Sequence, residues 1–560
     1  MMLQEAAHLG VYQSVVERAL ADLTAREIVP RIWQHDYTVW KPSPAEITHR
    51  LGWLTIAERM TEHLPAIQAL VAAAVDEGYT DVLWLGMGGS SLAPDVFHHI
   101  FEEREEREAG LRLRVLDSTD PGAVRAAAER LDLPHTLFVV ATKSGGTVET
   151  MSLFKYFYHL MAEMLSDDIE ETEVLDEVVG ARFVAITDEG SKLDSLGQAL
   201  GFRHIFRNDP NIGGRFSVLS HFGMVAAALL GVDVEEMLAR AREMAEACGP
   251  ETAPAENPGA WLGAVLGALA KAGRDKLTFI TSPALANFGD WIEQLIAEST
   301  GKSGAGILPV VGAPLGEPEI YGNDRLFVYL RLDGDAPYDA AIPDLVNAGH
   351  PVVRVDLRDL YDLGKQFFLW EFATAVAGER LAIHPFNQPN VEAAKRSARE
   401  MIAAYIEKGA LPEVETAPLD PEALEAFLAQ AEAGDYVAIQ AYVQPRPEVD
   451  AALRQLQAAL RARTRLAVTT AYGPRYLHST GQLHKGDAGR GLFVQFVSHH
   501  PELEAPIPDS LDDATSSITF GMLKLAQALG DYQALVEAGR RVIRFDVGTE
   551  VVAGIKEVVG

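Results

Sequence analysis

Two turns rich in glycine and hydroxyl side chains are the first features of the sequence that could carry chemistry. LGMGGSSLAP (85–94) and VVATKSGGTVET (139–150) each follow a predicted strand and lead into a predicted helix. Glycines let a ligand approach the backbone, and free N–H groups at a helix N-terminus attract anions. The hydroxyls of Thr142, Ser144 and Thr147 can donate hydrogen bonds. Each turn alone could be an ordinary N-capped helix start. Two such turns at the strand ends of one sheet favour a phosphate site.

Three further side chains could support proton transfer beside such a site. Arg215 follows two glycines in NIGGRFSVLS (211–220), where a cation could face a developing negative charge. Gln294 and Glu298 lie four residues apart and so share one face of a predicted helix. Glu298 ends that helix, where the helix dipole disfavours an acid, and such an inconsistency is typical of a functional site. A surface arginine and a solvated glutamate are the alternatives.

Two more segments contain a lysine and histidines that could move protons. In AIHPFNQPNVEAAK (382–395), Lys395 lies inside a predicted helix, where a solvated lysine is the ordinary alternative. In TTAYGPRYLHSTGQLHKG (469–486), His478 and His484 follow a predicted strand. Histidine titrates near neutral pH and is a common proton carrier, although either one could be a loop histidine without a role.

The elements that must position these residues are strands and helices in alternation. Short apolar runs such as 81–86, 136–141, 277–281 and 326–330 are separated by helical patterns, which indicates parallel sheets covered by helices on both faces. We therefore predict an α/β protein with two consecutive doubly wound domains. The predicted parts are a helical N-terminal segment (1–78), a first α/β domain (79–250), a second α/β domain (258–407) and a C-terminal α/β extension (424–560).

The composition of the 560 residues restricts the class of function. Acidic residues number 80 against 48 basic ones, and the formal charge of −32 disfavours binding to nucleic acid or an anionic membrane. Cys248 is the only cysteine, which excludes an intramolecular disulfide and a cysteine-based metal cluster. The first residues lack the basic and apolar regions of a signal peptide. We expect a cytoplasmic protein that acts on a small molecule and needs no metal.

Five motifs, taken together, resemble those of the glucose-6-phosphate isomerase family. They are GMGGS (86–90), TKSGGT (142–147), GGRFS (213–217), QLIAESTGK (294–302) and HPFNQ (384–388) with Lys395 at the family spacing. The chain resembles most the isomerase portion of transaldolase–glucose-6-phosphate isomerase fusions. The family fold of two sugar-isomerase (SIS-type) α/β domains agrees with the two domains predicted from the alternation of elements.

The resemblance implies an enzyme of glycolysis and gluconeogenesis that interconverts glucose 6-phosphate and fructose 6-phosphate without a cofactor. His478 and Lys395 would open the sugar ring. Glu298 would then move the C2 proton to C1 through a cis-enediolate that Arg215 stabilises. The implied ligands of the substrate phosphate are Gly89, Ser90, Thr142, Lys143, Ser144 and Thr147, and the other implied substrate-binding residues are Gln294 and Gln388.

The histidine motif departs from the family pattern in its place along the chain. In the family it lies between the glutamate and lysine motifs, whereas the similar string RYLHSTGQLHKG (475–486) follows Lys395 here. It could act within its own chain or across a homodimer. His478 is the better candidate for the ring-opening residue, and His484 is the second.

Other functions stay open beside the isomerase. The small Ser-Gly-Gly of the phosphate loop (144–146) leaves open a dual enzyme that also accepts mannose 6-phosphate. A regulatory protein that binds a sugar phosphate without catalysis is the alternative of another class, and it would not need Arg215, Glu298 and Lys395. A dinucleotide-dependent oxidoreductase is disfavoured, because Ser91 stands where that fingerprint has its third glycine.

Overall fold

The computed structural model describes residues 3–101, 110–166, 172–511, 513 and 515–559, with only the backbone of 172 and 173. Within these residues the strands form three larger sheets and one two-stranded ribbon. The predicted α/β class with parallel sheets is confirmed. No described helix combines the length and the apolarity that a segment crossing a bilayer needs.

The predicted helical segment precedes the first large sheet. Its alanine- and leucine-rich helices pack against the remainder of the chain, and Trp53 and Ile67 are fully buried there. A short strand, which the sequence analysis did not predict, lies near its start. The elements are β1 (Ala7–His8), α1 (Gln13–Ala25), α2 (Ile28–Trp33), α3 (Ile56–Arg59) and α4 (Leu64–Asp76).

The first α/β unit contains a five-stranded sheet. Its elements are β2 (Asp81–Leu85), α5 (Leu92–Phe101), β3 (Arg112–Leu116), α6 (Pro121–Arg130), β4 (Thr136–Ala141), α7 (Val148–Ser166), α8 (Thr172–Gly180), β5 (Phe183–Asp188), α9 (Lys192–Ala199), β6 (His204–Asn208), α10 (His221–Leu229) and α11 (Val234–Ala247). The strands are parallel, in the order β3-β2-β4-β5-β6. Strands β2 and β4 are buried throughout, which explains their unbroken apolar sequences.

The second α/β unit has a parallel sheet to which β1 adds an antiparallel edge strand. Its elements are α12 (Pro258–Lys271), β7 (Lys276–Thr281), α13 (Phe288–Thr300), β8 (Leu308–Val310), β9 (Arg325–Leu332), α14 (Ile342–Asn347), β10 (Val352–Leu357), α15 (Leu363–Arg380) and α16 (Val391–Lys408). The strand order is β1-β10-β9-β7-β8. The N-terminal segment and the second unit therefore share one sheet.

The C-terminal extension is a third α/β unit with its own apolar cluster. Its elements are α17 (Pro421–Leu428), β11 (Tyr436–Tyr442), α18 (Pro447–Thr464), β12 (Ala467–Tyr472), α19 (Gly481–Gly486), β13 (Gly491–Val497), β14 (Pro506–Ile507), β15 (Ile518–Thr519), α20 (Phe520–Glu537), β16 (Arg541–Asp546) and α21 (Val551–Val559). Its four parallel strands lie in the order β12-β11-β13-β16. Buried Ile439, Leu456 and Ile555 join this sheet to α18 and α21.

All three units share one strand order, which the sequence analysis did not predict. In each unit the second strand lies outside the first, and the third strand lies on the other side of the first. The direction of winding therefore reverses between the first and third strands. Open α/β sheets bind ligands at the carboxyl ends of their strands where this reversal occurs.

The strands that the sequence analysis missed include β6, β8 and β16, which lie at sheet edges. Strand β8 has only three residues, and β6 and β16 contain arginines and partly exposed positions. An edge strand buries less surface than a central strand, so it lacks the apolar run that identified β2 and β4. The domain limits predicted between the three units stay a prediction.

Candidate active site

The first glycine turn packs directly against the turn that contains Arg215. Gly88 has a left-handed backbone with φ of +54°, and buried Ser90 ends the short 3-10 helix Gly88–Ser90. A Cβ atom at Gly89 would lie 2.1 Å from the carbonyl oxygen of Gly214. Because only glycine fits there, the sequence brings the predicted phosphate turn into contact with the predicted arginine turn.

The hydroxyl turn after β4 directs two threonines toward each other. The Oγ1 atoms of Thr142 and Thr147 lie 2.9 Å apart, and Ser144 Oγ accepts a hydrogen bond from a backbone N–H two residues later at 3.4 Å. Gly145 has φ of +69°, and a Cβ there would lie 2.6 Å from the backbone of α9. Since β2 and β4 are neighbours in the sheet, this turn and the glycine turn lie at the same sheet edge.

The side chain of Lys143 points away from these hydroxyls. Its Nζ forms an ion pair with Asp188 and donates to the carbonyl oxygen of Pro210 at 3.3 Å. The backbone N–H of Lys143 is therefore the group that can reach an anion in the turn.

Arg215 is buried and held by neutral acceptors. Its Nε donates to Ser299 Oγ at 2.8 Å, and its Nη atoms donate to the carbonyl oxygens of Pro385 at 2.6 Å and Asn387 at 3.1 Å. Nη1 also donates to Gln388 Oε1 at 3.2 Å. These bonds fix the guanidinium plane and bring Gln388 to the cluster.

Glu298 is the charged partner of Arg215. Its Oε1 lies 3.4 Å from Arg215 Nη1, and its side chain is 12% exposed. Burial lowers the pKa of the Arg215 guanidinium, and Glu298 opposes that shift. Gln294 Nε2 donates to Glu298 Oε2 at 3.2 Å, as their shared helix face predicted, and also to the carbonyl oxygen of His478 at 2.7 Å. Glu298 is therefore a fixed carboxylate in a partly closed site rather than a solvated surface acid.

His478 reaches the same cluster from the C-terminal unit of the same chain. It ends the 3-10 helix Arg475–His478, and its Nε2 lies 3.0 Å from Glu149 Oε1. A Cβ at Gly88 would lie 2.9 Å from the Cβ of His478, so the glycine turn leaves just enough room for this helix. The displaced histidine motif is thus brought to the glutamate and arginine motifs within one chain.

Glu149 is a site residue that the sequence analysis missed. Its Oε1 also accepts from Gln527 Nε2 at 2.7 Å, and Gln527 Oε1 accepts from Thr119 Oγ1 at 2.8 Å. Burial alone would raise the pKa of Glu149, but attraction from His478 holds it below its usual value. Its position gave little signal, because an acid two residues after Thr147 lies in the first turn of α7, where the helix dipole favours a negative charge.

His484 lies away from the site, in the interior of the C-terminal unit. It is 2% exposed, packs between the rings of Tyr436 and Phe493, and has Nδ1 at 3.3 Å from Gln440 Nε2. Burial lowers its pKa well below the usual value. Of the two predicted histidines, the structure brings only His478 to Glu149 and Gln294.

Lys395 is more peripheral than the other predicted residues. Its side chain is 46% exposed and its Nζ lies 3.1 Å from Glu392 on the same helix, while its charge acts at longer range on Glu149. Lys302, which the sequence analysis quoted only inside the glutamate motif, is buried and bonded to Asn387. Burial and the charge of Arg215 lower the pKa of Lys302 well below its usual value.

Comparisons with known proteins identify relatives of this chain. The family described as phosphoglucose isomerase matches residues 55–307. A glucose-6-phosphate isomerase of Rubrobacter xylanophilus is 30% identical over 429 residues, which cover 68% of this chain and 94% of that protein. A glucose-6-phosphate isomerase of Carboxydothermus hydrogenoformans is 28% identical over 410 residues, 63% of this chain and 85% of that protein.

Solved structures support the fold at lower identity. A hypothetical protein of Thermus thermophilus aligns with a TM-score of 0.60 at 22% identity, covering 71% of this chain and 99% of that one. A glucose-6-phosphate isomerase of Chlamydia trachomatis aligns with a TM-score of 0.51 at 19% identity, over 68% of this chain and 78% of that one. Given the sequence relationship to the Rubrobacter xylanophilus protein, the chain belongs to the phosphoglucose isomerase family.

Proposed function

We propose that this chain is an aldose–ketose isomerase that interconverts glucose 6-phosphate and fructose 6-phosphate. The observation that carries the proposal is the position of Glu298, whose carboxylate lies 3.4 Å from Arg215 and 3.2 Å from Gln294. A base, a cation and a histidine meet beside two turns suited to a phosphate. A protein that only bound the sugar phosphate would need the turns but not this group.

In the proposed complex, the two turns hold the substrate phosphate. The donors are the hydroxyls of Ser90, Thr142, Ser144 and Thr147 together with the N–H groups of Gly89 and Lys143. Oriented local donors are needed because the formal charge of −32 repels an anionic substrate at long range. The phosphate then fixes the sugar with its reacting carbons toward Glu298.

Ring opening is the proposed task of His478 and Lys395. The C1–O5 bond breaks, the C1 hydroxyl loses its proton as C1=O1 forms, and O5 gains a proton. Glu149, 3.0 Å from the imidazole, orients His478 for this transfer. Lys395 lies at the exposed side of the site and would approach the sugar only when substrate is bound.

Isomerisation of the open chain is the proposed task of Glu298. The carboxylate removes the C2 proton, and the electron pair forms a cis-enediolate. The hydroxyl proton passes from O2 to O1, and the same carboxylate returns a proton to C1 as C2=O2 forms. Positioned acid–base catalysis contributes about 10²–10⁴-fold. Charge on O1 and O2 develops near Arg215, and a fixed donor at such a position contributes roughly 3 kcal/mol.

A coupled assay that detects glucose 6-phosphate formed from fructose 6-phosphate tests the proposal. We expect turnover by the purified chain without an added cofactor or metal. Binding of either sugar phosphate without turnover would favour the non-catalytic regulator instead. The same assay with mannose 6-phosphate would decide between the single and the dual enzyme.

We also propose a cytoplasmic location and keep a homodimer as the proposed assembly. Because Gln294 binds both Glu298 and His478 within one chain, we expect the activity per chain to be independent of dilution across any monomer–dimer equilibrium. Sedimentation and rate measurements over the same concentration range test this. Activity lost in proportion to dimer dissociation would contradict a site made by one chain.

A further inference from the structure

Arg475 starts the 3-10 helix that ends at His478, and its guanidinium lies among three carboxylates. Nη2 donates to Asp95 Oδ2 at 2.7 Å and lies 3.5 Å from Asp290 Oδ2, while Nη1 lies 3.4 Å from Asp117 Oδ2. Asp95 is on α5, Asp117 follows β3, and Asp290 is on α13. One side chain of the C-terminal unit thus binds both other units.

The charge around Arg475 is unbalanced without it. Buried Glu293 adds a fourth acid nearby and accepts from Ser479 Oγ at 3.3 Å, while His99 Nε2 lies 3.4 Å from Asp95. Burial raises the pKa values of Asp117 and Asp290, and the charge of Arg475 opposes both shifts. Removing Arg475 would leave Asp95, Asp117 and Asp290 without the cation that all three contact.

The geometry connects this ion cluster to the reacting histidine. The 3-10 helix has only four residues, so we expect a shift at Arg475 to displace His478. The carbonyl oxygen of His478 accepts a hydrogen bond from Gln294, and its Cβ packs against Gly88. The hydrogen bond from His478 to Glu149 therefore depends on where Arg475 places the helix.

We propose that Arg475 is a positioning residue that holds His478 in the ring-opening position by binding Asp95, Asp117 and Asp290. This inference rests on the proposed isomerase function. The C-terminal unit has its own apolar cluster, so we expect it to fold without Arg475. Docking also has other contacts, such as the buried Lys524–Asp120 ion pair at 2.8 Å, so the effect of Arg475 is local.

The test compares a ring-closed substrate with one that stays open. Fructose 6-phosphate must be opened, whereas 5-deoxyfructose 6-phosphate lacks the hydroxyl that closes its ring. For Arg475→Ala we expect kcat/KM on fructose 6-phosphate to fall about 10²-fold, as for a displaced catalytic group. On 5-deoxyfructose 6-phosphate we expect a smaller fall, of about tenfold. Arg475→Lys keeps the charge but loses the forked donors, so we expect an intermediate loss.

Arg461→Lys is the matched control for Arg475→Lys, since Arg461 is also an arginine of the C-terminal unit that contacts the second unit, through the carbonyl oxygen of Pro314. For this control we expect kcat/KM to change by the same factor on the two substrates. Arg475 also lines a cleft of about 900 Å³, so added guanidinium ion should partly restore Arg475→Ala. Thermal unfolding identifies any variant that fails to fold. If Arg475→Ala fails to fold, the two substrates are compared with Arg475→Lys instead.

The outcomes separate the inference from the function on which it rests. If the wild-type chain does not isomerise fructose 6-phosphate, the proposed function fails. If the wild type is active but the Arg475 variants lose equally on both substrates, or lose nothing, the positioning role of Arg475 is wrong. A selective loss on the ring-closed substrate supports it.

Discussion

The first and second α/β units have the same strand order, but different residues line the point of reversal. This is the sheet edge between the first and third strands, where the direction of winding changes. In the first unit, Ser90, Thr142 and Thr147 line that point. In the second unit, the chain fills the equivalent point itself: the N–H of Ala284 donates to Asp335 Oδ2 at 2.9 Å, and Ser282 Oγ accepts from the N–H of Leu332 at 2.9 Å. A built-in carboxylate occupies donors of the kind that a phosphate would use. A shared fold therefore provides the place for an anion site, and local residues decide whether the site is open to a ligand.

The largest expected effect is on kcat, and it distinguishes Glu298, the proposed base, from Asp335 of the second unit. For Glu298→Gln we expect a loss of at least about 10²-fold in kcat with unfolding temperature nearly unchanged, because the base for the C2 proton is gone. Asp335→Asn in the second unit is the matched control, and we expect it to keep near wild-type kcat. Retention of more than about a tenth of the rate by Glu298→Gln would remove Glu298 as the base.

The next effect tests which point of reversal binds the phosphate. For Thr142→Val and Thr147→Val together we expect KM for fructose 6-phosphate to rise about tenfold or more, since two hydroxyl donors to an anion are lost. Ser282→Ala removes the corresponding hydroxyl of the second unit and should leave KM unchanged. Steady-state kinetics of the three proteins decide it, and equal KM values would place the phosphate elsewhere.

A smaller effect on stability is expected where the second unit is closed by its own acid. Asp335→Ala removes the acceptor of the half-buried Ala284 N–H, and the loss of such a hydrogen bond costs about 0.5–1.5 kcal/mol. We expect a lower unfolding temperature with an unchanged KM. A change in KM without a change in stability would mean that Asp335 belongs to the substrate site.

The smallest effect concerns pH and α13, the helix that the second unit contributes to the site. Burial, with Asp290 adding to it, raises the pKa of Glu293 to about 8. The folded state therefore holds this proton more tightly than the unfolded chain, so its stabilisation is complete below the ordinary glutamate pKa and decreases as pH rises toward 8. Relative to wild type, Glu293→Gln should gain in unfolding temperature between pH 5 and pH 8. A constant difference over that range would contradict the raised pKa.

Sequence reasoning predicted the parts of the fold that depend on burial. Strands β2 and β4 lie between covering helices and read as apolar runs, and the two turns after them are marked by glycines whose Cβ atoms would clash. The edge strands β6, β8 and β16 were not predicted because they bury less surface. The repeated strand order was not predicted because strand pairing depends on contacts between distant residues.

The site was predictable where a motif is contiguous and unpredictable where contacts are distant. Gln294 and Glu298 share a helix face, so their hydrogen bond follows from spacing. Glu149 and His478 are 329 residues apart, and no local pattern connects them. The sequence ranked His478 before His484, but the contacts of His478 with Glu149 and Gln294 depend on the fold.

The most direct test of the central claim is hydrogen exchange at the reacting carbons. Fructose 6-phosphate is incubated in deuterated water with the wild-type chain or with Glu298→Gln, and deuterium at C1 and C2 is followed by NMR. We predict label at C1 of the ketose and C2 of the aldose with the wild type, and almost none with the variant. Equal labelling by both proteins would contradict proton transfer through Glu298.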